Sequence, residues 1–201
     1  MRLWLGGFLI LCCLLGGCLR SGDFTPIRYY SVDPSTITPP SVTHTWPIAL
    51  GVRPLTAASR YRDRILYRLS EVEVGFYEYD RWVEPPEEMV TRVIIATVQA
   101  AGLFRQVLPA DSVQLPAWIL SGEVLRFDEV RTGSGSRAEC WLRLELRRAR
   151  DEQLVWSDQL QTAMPLTSET PEALAQAMSR AVQQMVRELI NRLEKASLAA
   201  S

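Results

Sequence analysis

The sequence predicts an α+β fold in which two α-helices pack on one face of an antiparallel or mixed β-sheet. Segments of strand composition come first, an amphipathic helix follows, three further strands form a meander, and a long amphipathic helix ends the chain. Each helix carries one apolar stripe, which needs a sheet face to cover it. The 201 residues are enough for one domain with its own core.

The N-terminus has the pattern of a lipoprotein leader. Arg2 precedes an apolar run from Leu3 to Leu15, which is shorter than the roughly 20 residues of a bilayer span and suits the core of a secretory signal. Gly16 and Gly17 then place two small residues before Cys18, similar to a bacterial lipobox. We therefore predict lipid attachment at Cys18. The alternative is a plain secretory signal with an incidental cysteine.

The leader also predicts the compartment and the domain boundaries. Acyl chains contribute about 0.8 kcal/mol per buried methylene, so more than one chain on a cysteine makes a permanent anchor. The residue after the cysteine is Leu19 rather than Asp, which under the sorting rule of Gram-negative lipoproteins favours the outer membrane. The expected parts are a signal peptide (1–17), a lipidated tether (18–25), one periplasmic domain (26–196) and a C-terminal tail (197–201).

The first half of the body has strand composition between turn-forming segments. Gly75 is expected to mark a bend or bulge in the last of these strands. Aromatic side chains gather between Tyr61 and Trp82, and packing on a sheet face is the ordinary explanation for such a cluster. The four segments predicted as strands are Ile27–Val32, Ile48–Val52, Ile65–Arg68 and Val72–Tyr79.

The run Pro85-Pro86-Glu87-Glu88 predicts a helix start, because proline is favoured in the first turn and acidic residues suit the positive end of the helix dipole. Apolar residues then follow helical spacing until Gly102, which predicts the helix end. Phe104–Leu108 leads out of the helix. Three strands come next, joined by hairpin turns at Thr132–Ser136 and Arg150–Gln153: Ala117–Asp128, Ala138–Arg148 and Leu154–Ala163.

The strand Ala138–Arg148 shows the clearest alternation in the chain. It predicts a half-buried antiparallel strand with one solvated face. Cys140 is the one cysteine left in the mature body, and we expect it to be a small buried hydrophobe, with intermolecular pairing or a reactive thiol as alternatives. The buried face would hold Cys140, Leu142, Leu144 and Leu146, and the solvated face Glu139, Arg143, Glu145 and Arg147.

The last segment predicts a long helix that begins at a Thr170 cap, with Pro171 and Glu172 in its first turn. Apolar residues repeat every three to four positions from Leu174 to Leu193. This stripe is expected to lie on the sheet as part of the core, and partner binding is the alternative.

Patterns of catalytic residues are nearly absent from the sequence. The single histidine, His44, lies in a Thr/Pro-rich loop without ligands at metal-binding spacing. Gly133-Ser134-Gly135 lacks the Lys-Ser/Thr and the helix of a phosphate loop, and Glu87 and Glu88 point apart on a helix. The net charge of -1 gives no general attraction to nucleic acid. We expect no enzyme, no cofactor and no metal, with a hydrolase as the least favoured alternative.

Several segments resemble the ABC-type transport auxiliary lipoproteins, the family that includes the paraquat-inducible-type lipoprotein encoded beside inner-membrane transporters with MCE domains. The resemblance runs from about Ile27 to about Leu193, and it departs from the family pattern at Pro86, where Leu is more usual. Besides the lipobox and Tyr29-Tyr30, the segments that carry it are Ile48–Leu55, Arg64–Arg68, Glu78–Pro86 and Trp118–Val124.

The resemblance implies a non-enzymatic accessory lipoprotein of an intermembrane lipid-transport system, anchored in the outer membrane and facing the periplasm. Its partner would be the MCE-domain protein, with the ATPase and permease on separate chains. The alternative is a structural or assembly lipoprotein of another envelope machine, in outer-membrane biogenesis or in activation of cell-wall synthesis. Direct contact with phospholipid and assembly with copies of itself both stay open.

For the docking surface we single out Tyr77, Tyr79, Arg81 and Trp82. Tyr, Trp and Arg dominate the energetics of protein interfaces, and these four residues lie close together before the predicted helix start. The alternative is that Trp82 belongs to the core or caps that helix.

Overall fold

A computed structural model describes residues 25–32, 38–112, 116–133 and 135–196. The predicted signal peptide, Cys18, the tether up to residue 24 and the tail 197–201 lie outside the described residues. Those described form the following elements: β1 (Arg28–Tyr30), β2 (Trp46–Val52), β3 (Thr56–Ala57), β4 (Arg64–Arg68), β5 (Val74–Trp82), α1 (Pro86–Ala101), β6 (Phe104–Pro109), β7 (Trp118–Thr132), β8 (Gly135–Arg148), β9 (Leu154–Pro165) and α2 (Pro171–Lys195).

All these strands belong to one mixed sheet organised around β7. Along one edge of β7 runs β8, antiparallel, followed by β9, which completes the predicted meander. Along the other edge lie β2, β3 and β4 in turn, each parallel to β7. Outside them, β6 pairs parallel with β2, β5 pairs antiparallel with β4, and β1 pairs parallel with β5. The predicted fold class is confirmed, with a mixed sheet.

The helix boundaries follow from local chemistry that the sequence shows. At the end of α1, Gly102 adopts φ 70°, and its N–H donates to the Gln99 carbonyl. A positive φ is nearly free for glycine and costly for other residues, which explains why the helix ends there. At the start of α2, the Thr170 hydroxyl accepts a 3.2 Å hydrogen bond from the Ala173 N–H. Both boundaries agree with the prediction.

The core lies between the sheet and the two helices, which contact each other. The predicted apolar face of β8, from Cys140 to Leu146, is fully buried against the stripe of α2. Burial of one Leu-sized side chain stabilises the fold by about 1.5–3 kcal/mol. The α2 stripe is therefore core, as predicted; its buried residues include Leu174, Met178, Met185, Leu189 and Leu193.

Several strand assignments differ from the prediction. Phe104–Pro109 is a strand, β6, rather than only an exit from the helix. β7 continues to Thr132 and β8 already begins at Gly135, so the hairpin between them is tighter than expected. β5 runs from Val74 to Trp82 and thus starts and ends later than the predicted strand. The added strand residues include many polar ones, so a prediction based on the alternation of apolar residues did not assign them to strands.

The expectation of a solvated β8 face is wrong at Glu139, which is buried. Its carboxylate accepts hydrogen bonds of 2.7 Å from Arg126 Nη1 and from Arg137 Nε. Arg126 also lies 3.9 Å over the Trp141 ring. Long side chains from both sides of Glu139 therefore cover this part of the sheet, and a buried carboxylate is tolerated because two cations pair with it.

Candidate functional site

The single histidine and the acidic side chains form no metal site in the described part of the chain. His44 is exposed, as expected, and packs edge to face on Trp46 with ring centroids 4.5 Å apart. Among the described helices, none has the length and apolarity to cross a bilayer.

Cys140 is fully buried in the core, as the main interpretation of the sequence held. Burial raises the pKa of its thiol from 9.0 to about 12, because a thiolate would lose its solvation there. The thiol is therefore protonated at neutral pH and behaves as a small hydrophobe.

The four predicted docking residues lie on β5, but they do not form one surface. Leu66 of β4 lies opposite Phe76, whereas Arg64 lies opposite Arg81, so the register shifts between these pairs. Such an irregularity breaks the alternation of side chains along a strand. Residues that sequence spacing would assign to one face are thereby divided between the two sides of the sheet.

Trp82 belongs to the core, and its assignment to the docking surface is wrong. Its side chain is 2% exposed and packs edge to face on Phe127, with ring centroids 5.3 Å apart. At the end of β5 this large aromatic side chain fills core space beside β7. The alternative that placed Trp82 in the core is the correct one.

The Tyr77 side chain is half-buried and donates a hydrogen bond to a buried carboxylate. Its hydroxyl donates a 2.6 Å hydrogen bond to Glu129, and the Arg131 guanidinium donates two bonds of 3.0 Å to the same carboxylate. Arg131 also lies 3.8 Å over the Tyr67 ring. Burial, followed by the neighbouring Glu129, raises the pKa of Tyr77 well above its usual value. We assign Tyr77 to this internal cluster rather than to a binding surface.

Tyr79 remains accessible, whereas the Arg81 side chain is mostly covered, with 16% of its surface exposed. Tyr79 is 40% exposed. Arg81 is held in place by its own strand, since Nη1 donates to the carbonyl oxygens of Tyr77 at 2.9 Å and Asp80 at 2.8 Å. Asp63 lies 3.7 Å from its Nε. A cation fixed in this way is already ordered before any partner arrives, which lowers the entropic cost of binding.

The parallel pairing of β1 with β5 adds three exposed apolar residues to this pair. Tyr29 lies opposite Arg81, and it is 62% exposed. Ile27 and Val83 are also exposed and share its side of the two strands by alternation. We call the resulting patch the β1–β5 surface: Ile27, Tyr29, Tyr79, Arg81 and Val83. Sequence reasoning missed the β1 contribution, because the pairing of β1 with β5 joins segments about 50 residues apart; Tyr29-Tyr30 was the only signal.

A cluster of charged and phenolic groups fixes β1 in this position. Arg28 Nε donates to Asp80 at 2.9 Å, and the Tyr30 hydroxyl lies 3.1 Å from Asp80 and 2.9 Å from Glu172. Glu172 is in the first turn of α2. Its own backbone N–H, followed by the Tyr30 hydroxyl, lowers the pKa of Glu172. The cluster therefore ties the β1–β5 surface to the helix layer.

The described residues also form an open groove of about 430 Å³ beside the start of α1, lined mainly by Pro54, Thr91, Ile95 and Pro109. Pockets for small ligands usually enclose most of the ligand surface. This groove is open to solvent, so it provides a shallow surface rather than an enclosing site.

Comparison with known proteins gives a consistent assignment. A family model described as "ABC-type transport auxiliary lipoprotein component" matches residues 30–190. Protein XCC0632 from Xanthomonas campestris, attributed to family model DUF330, is 24% identical with a TM-score of 0.73 over 84% of this chain and 94% of that chain. The hypothetical protein CT253 from Chlamydia trachomatis is 10% identical with a TM-score of 0.55 over 77% and 100%. At these identities the two structures support the fold alone. A comparison with curated proteins gave no match.

Proposed function

Because the chain belongs to the ABC-type transport auxiliary lipoprotein family, we propose that it is a non-enzymatic accessory subunit of an ABC/MCE-type system that moves lipid between the two membranes. The observation that carries the proposal is the family match over residues 30–190. The family's description as an auxiliary component of transport supports a binding role rather than a catalytic one.

We place the anchor at Cys18 and the protein in the outer membrane, with the domain in the periplasm. The lipobox-like residues and Leu19 support this placement. If it is right, Cys18→Ser should release the protein from the membrane fraction or leave it unprocessed. Normal membrane attachment of that variant would contradict the anchor.

The MCE-domain protein is the proposed partner, and the β1–β5 surface is its proposed docking site. Tyr29 and Tyr79 present large, stiff, exposed aromatic groups, and Arg81, which lies opposite Tyr29, adds a fixed and mostly covered cation. Such residues supply most of the binding energy of protein interfaces. Tyr77 and Trp82 lie inside the fold and would act only by supporting β5.

The test is co-purification of the lipoprotein with the MCE-domain protein, followed by affinity measurement on variants. Tyr29→Ala with Tyr79→Ala should weaken binding by about 30-fold or more, which corresponds to about 2 kcal/mol at a hot spot. Leu154→Ala is the matched control, since it removes a comparably exposed apolar side chain at the start of β9. Unchanged affinity of the double variant would refute this docking site.

Recovery of a cell-wall synthase or an outer-membrane biogenesis factor, without any MCE-domain protein, would refute the transport proposal. That result would favour the alternative, an assembly lipoprotein of another envelope machine.

A further inference from the structure

The hairpin loop between β4 and β5 exposes apolar side chains away from the β1–β5 surface. Val72 is 93% exposed, and Leu69 and Val74 on either side of it are also exposed. We call residues 69–74 the β4–β5 tip. Scattered exposed apolar residues need no explanation, but three within six positions at one end of the sheet form a patch that can meet an apolar environment.

The tip is held in one shape by buried charges. Arg68 donates from Nε and Nη2 to Asp128 at 3.0 and 2.9 Å, and from Nη1 to the Glu71 carbonyl at 3.1 Å. The Ser70 hydroxyl oxygen accepts from the N–H groups of Val72 and Glu73. Asp128 is fully buried beneath the loop. These bonds therefore hold the Val72 side chain in its exposed position, whereas a flexible loop could turn it toward the protein.

The direction of β1 relates this tip to the predicted anchor. β1 runs parallel to β5, with Arg28 opposite Asp80, and β5 begins at Val74 beside the tip. A chain that enters β1 at Arg28 therefore comes from the end of the sheet that carries the tip. We therefore expect the lipid on Cys18 to be attached on the side of the sheet that carries Val72.

The number of residues is sufficient for the anchor to reach the level of the tip. The six residues from Asp80 back to Val74 span about 20 Å at strand geometry. The ten residues from Cys18 to Arg28 span at most about 35 Å. The lipid on Cys18 and the tip can thus meet one flat surface at the same time.

We propose that the β4–β5 tip rests in the interface of the bilayer that holds the lipid on Cys18, with Val72 and Leu69 among the acyl chains. This rests on the lipid anchor proposed above. We expect the contact to depend on the apolar side chains and not on charge attraction, because the charged residues of the tip are Glu71 and Glu73, and carboxylates are not attracted to anionic lipid. The Glu71 carboxylate also lies 3.6 Å from the Arg126 guanidinium, which partly balances its charge. The contact orients an anchored domain and is too small to recruit an unanchored one.

The test uses the full lipidated chain in vesicles of phosphatidylethanolamine and phosphatidylglycerol. Val72→Cys is labelled with an environment-sensitive dye, and nitroxide-bearing lipid is added as a quencher. The buried Cys140 does not compete for the label. Leu154→Cys is the matched control, since Leu154 is an exposed apolar residue at the opposite end of the sheet, level with the start of β7. We expect a blue shift and quenching at position 72, neither at position 154, and little change in 0.5 M salt.

Vesicle flotation separates this proposal from the anchor on which it rests. If the unlabelled protein does not float with the vesicles, the anchor proposal fails and the tip proposal fails with it. If the protein floats while the dye at position 72 stays in water, or is quenched no more than the dye at position 154, the tip proposal alone is overturned. A shift at position 72 that appears only when the MCE-domain protein is added would also overturn it, in favour of a protein contact.

Discussion

Two strands of the same sheet, β5 and β8, differ in how far their sequences reveal their surroundings. β8 has a strand on each side over its length, and its alternation from Ala138 to Leu146 continues without interruption. Its buried apolar side chains from Ala138 to Leu146 face the helices, whereas Trp141 lies on the other face under Arg126. β5 has a register shift against β4 and pairs on its other edge only with the short β1. The pairing of β7 with β8 also shifts, between Val124 and Arg126, but the extra residue lies in β7, so β8 keeps its period of two. Between β4 and β5 the extra residues lie in β5 itself, which separates sequence spacing from face in that strand.

The difference has a functional side. The apolar face of β8 is buried in the core, so little of it is available to another molecule. β5 carries a core residue, Trp82, an internal hydrogen-bond donor, Tyr77, and the accessible Tyr79 within six positions. In β5 the accessible residues lie where the pairing is short or irregular, and such places are hard to predict from periodicity.

The largest expected effect on stability distinguishes two aromatic residues of β5, one in the core and one on the surface. Trp82→Ala should lower the free energy of unfolding by about 3–5 kcal/mol, because it leaves a cavity beside Phe127. Tyr79→Ala should change it by less than about 0.5 kcal/mol, because the side chain is accessible. Urea unfolding of both variants measures the difference. Equal losses would mean that Tyr79 packs in the fold and is not part of a free surface.

The charges under the β4–β5 tip come next. Arg68→Met should lower the free energy of unfolding by about 3 kcal/mol, because it leaves the buried Asp128 without its cation. Arg137→Met beside β8 is the control and should cost less than about 1 kcal/mol, because Arg137 is partly exposed and Glu139 keeps Arg126.

The double variant Arg68→Met with Asp128→Leu sharpens this prediction. Replacing both partners of a buried ion pair by apolar groups is often neutral, so it should recover most of the lost stability. If the double variant is less stable than Arg68→Met, then Asp128 is stabilised by something other than Arg68.

The same contrast explains which parts could be predicted. The helix caps at Gly102 and Thr170, the apolar stripe of α2 and the alternation of β8 depend on residues near one another in sequence. The pairing of Tyr29 with Arg81 and the contact of Tyr77 with Glu129 join residues about 50 positions apart, and no local pattern encodes them. The split of the four docking residues follows from the β4–β5 register, which only the structure supplies.

The smallest expected effect on the free energy of unfolding comes from Cys140 of β8 and appears only at alkaline pH. In the unfolded chain the Cys140 thiol ionises near pH 9.0, whereas in the folded protein burial raises its pKa to about 12. Below pH 9.0 both states carry the proton, so the thiol makes stability independent of pH. Between these two pKa values only the unfolded state loses the proton, so the free energy of unfolding falls as the pH rises.

Urea unfolding at pH 8 and pH 10.5 measures this contribution when the wild type is compared with Cys140→Ala. Phenols such as Tyr61, whose pKa burial raises to about 12, titrate in both proteins and cancel in the comparison. The wild type should lose more stability than the variant between the two pH values. Identical losses would mean that the thiol already ionises in the folded protein, which is incompatible with its place under α2 among the leucines of β8.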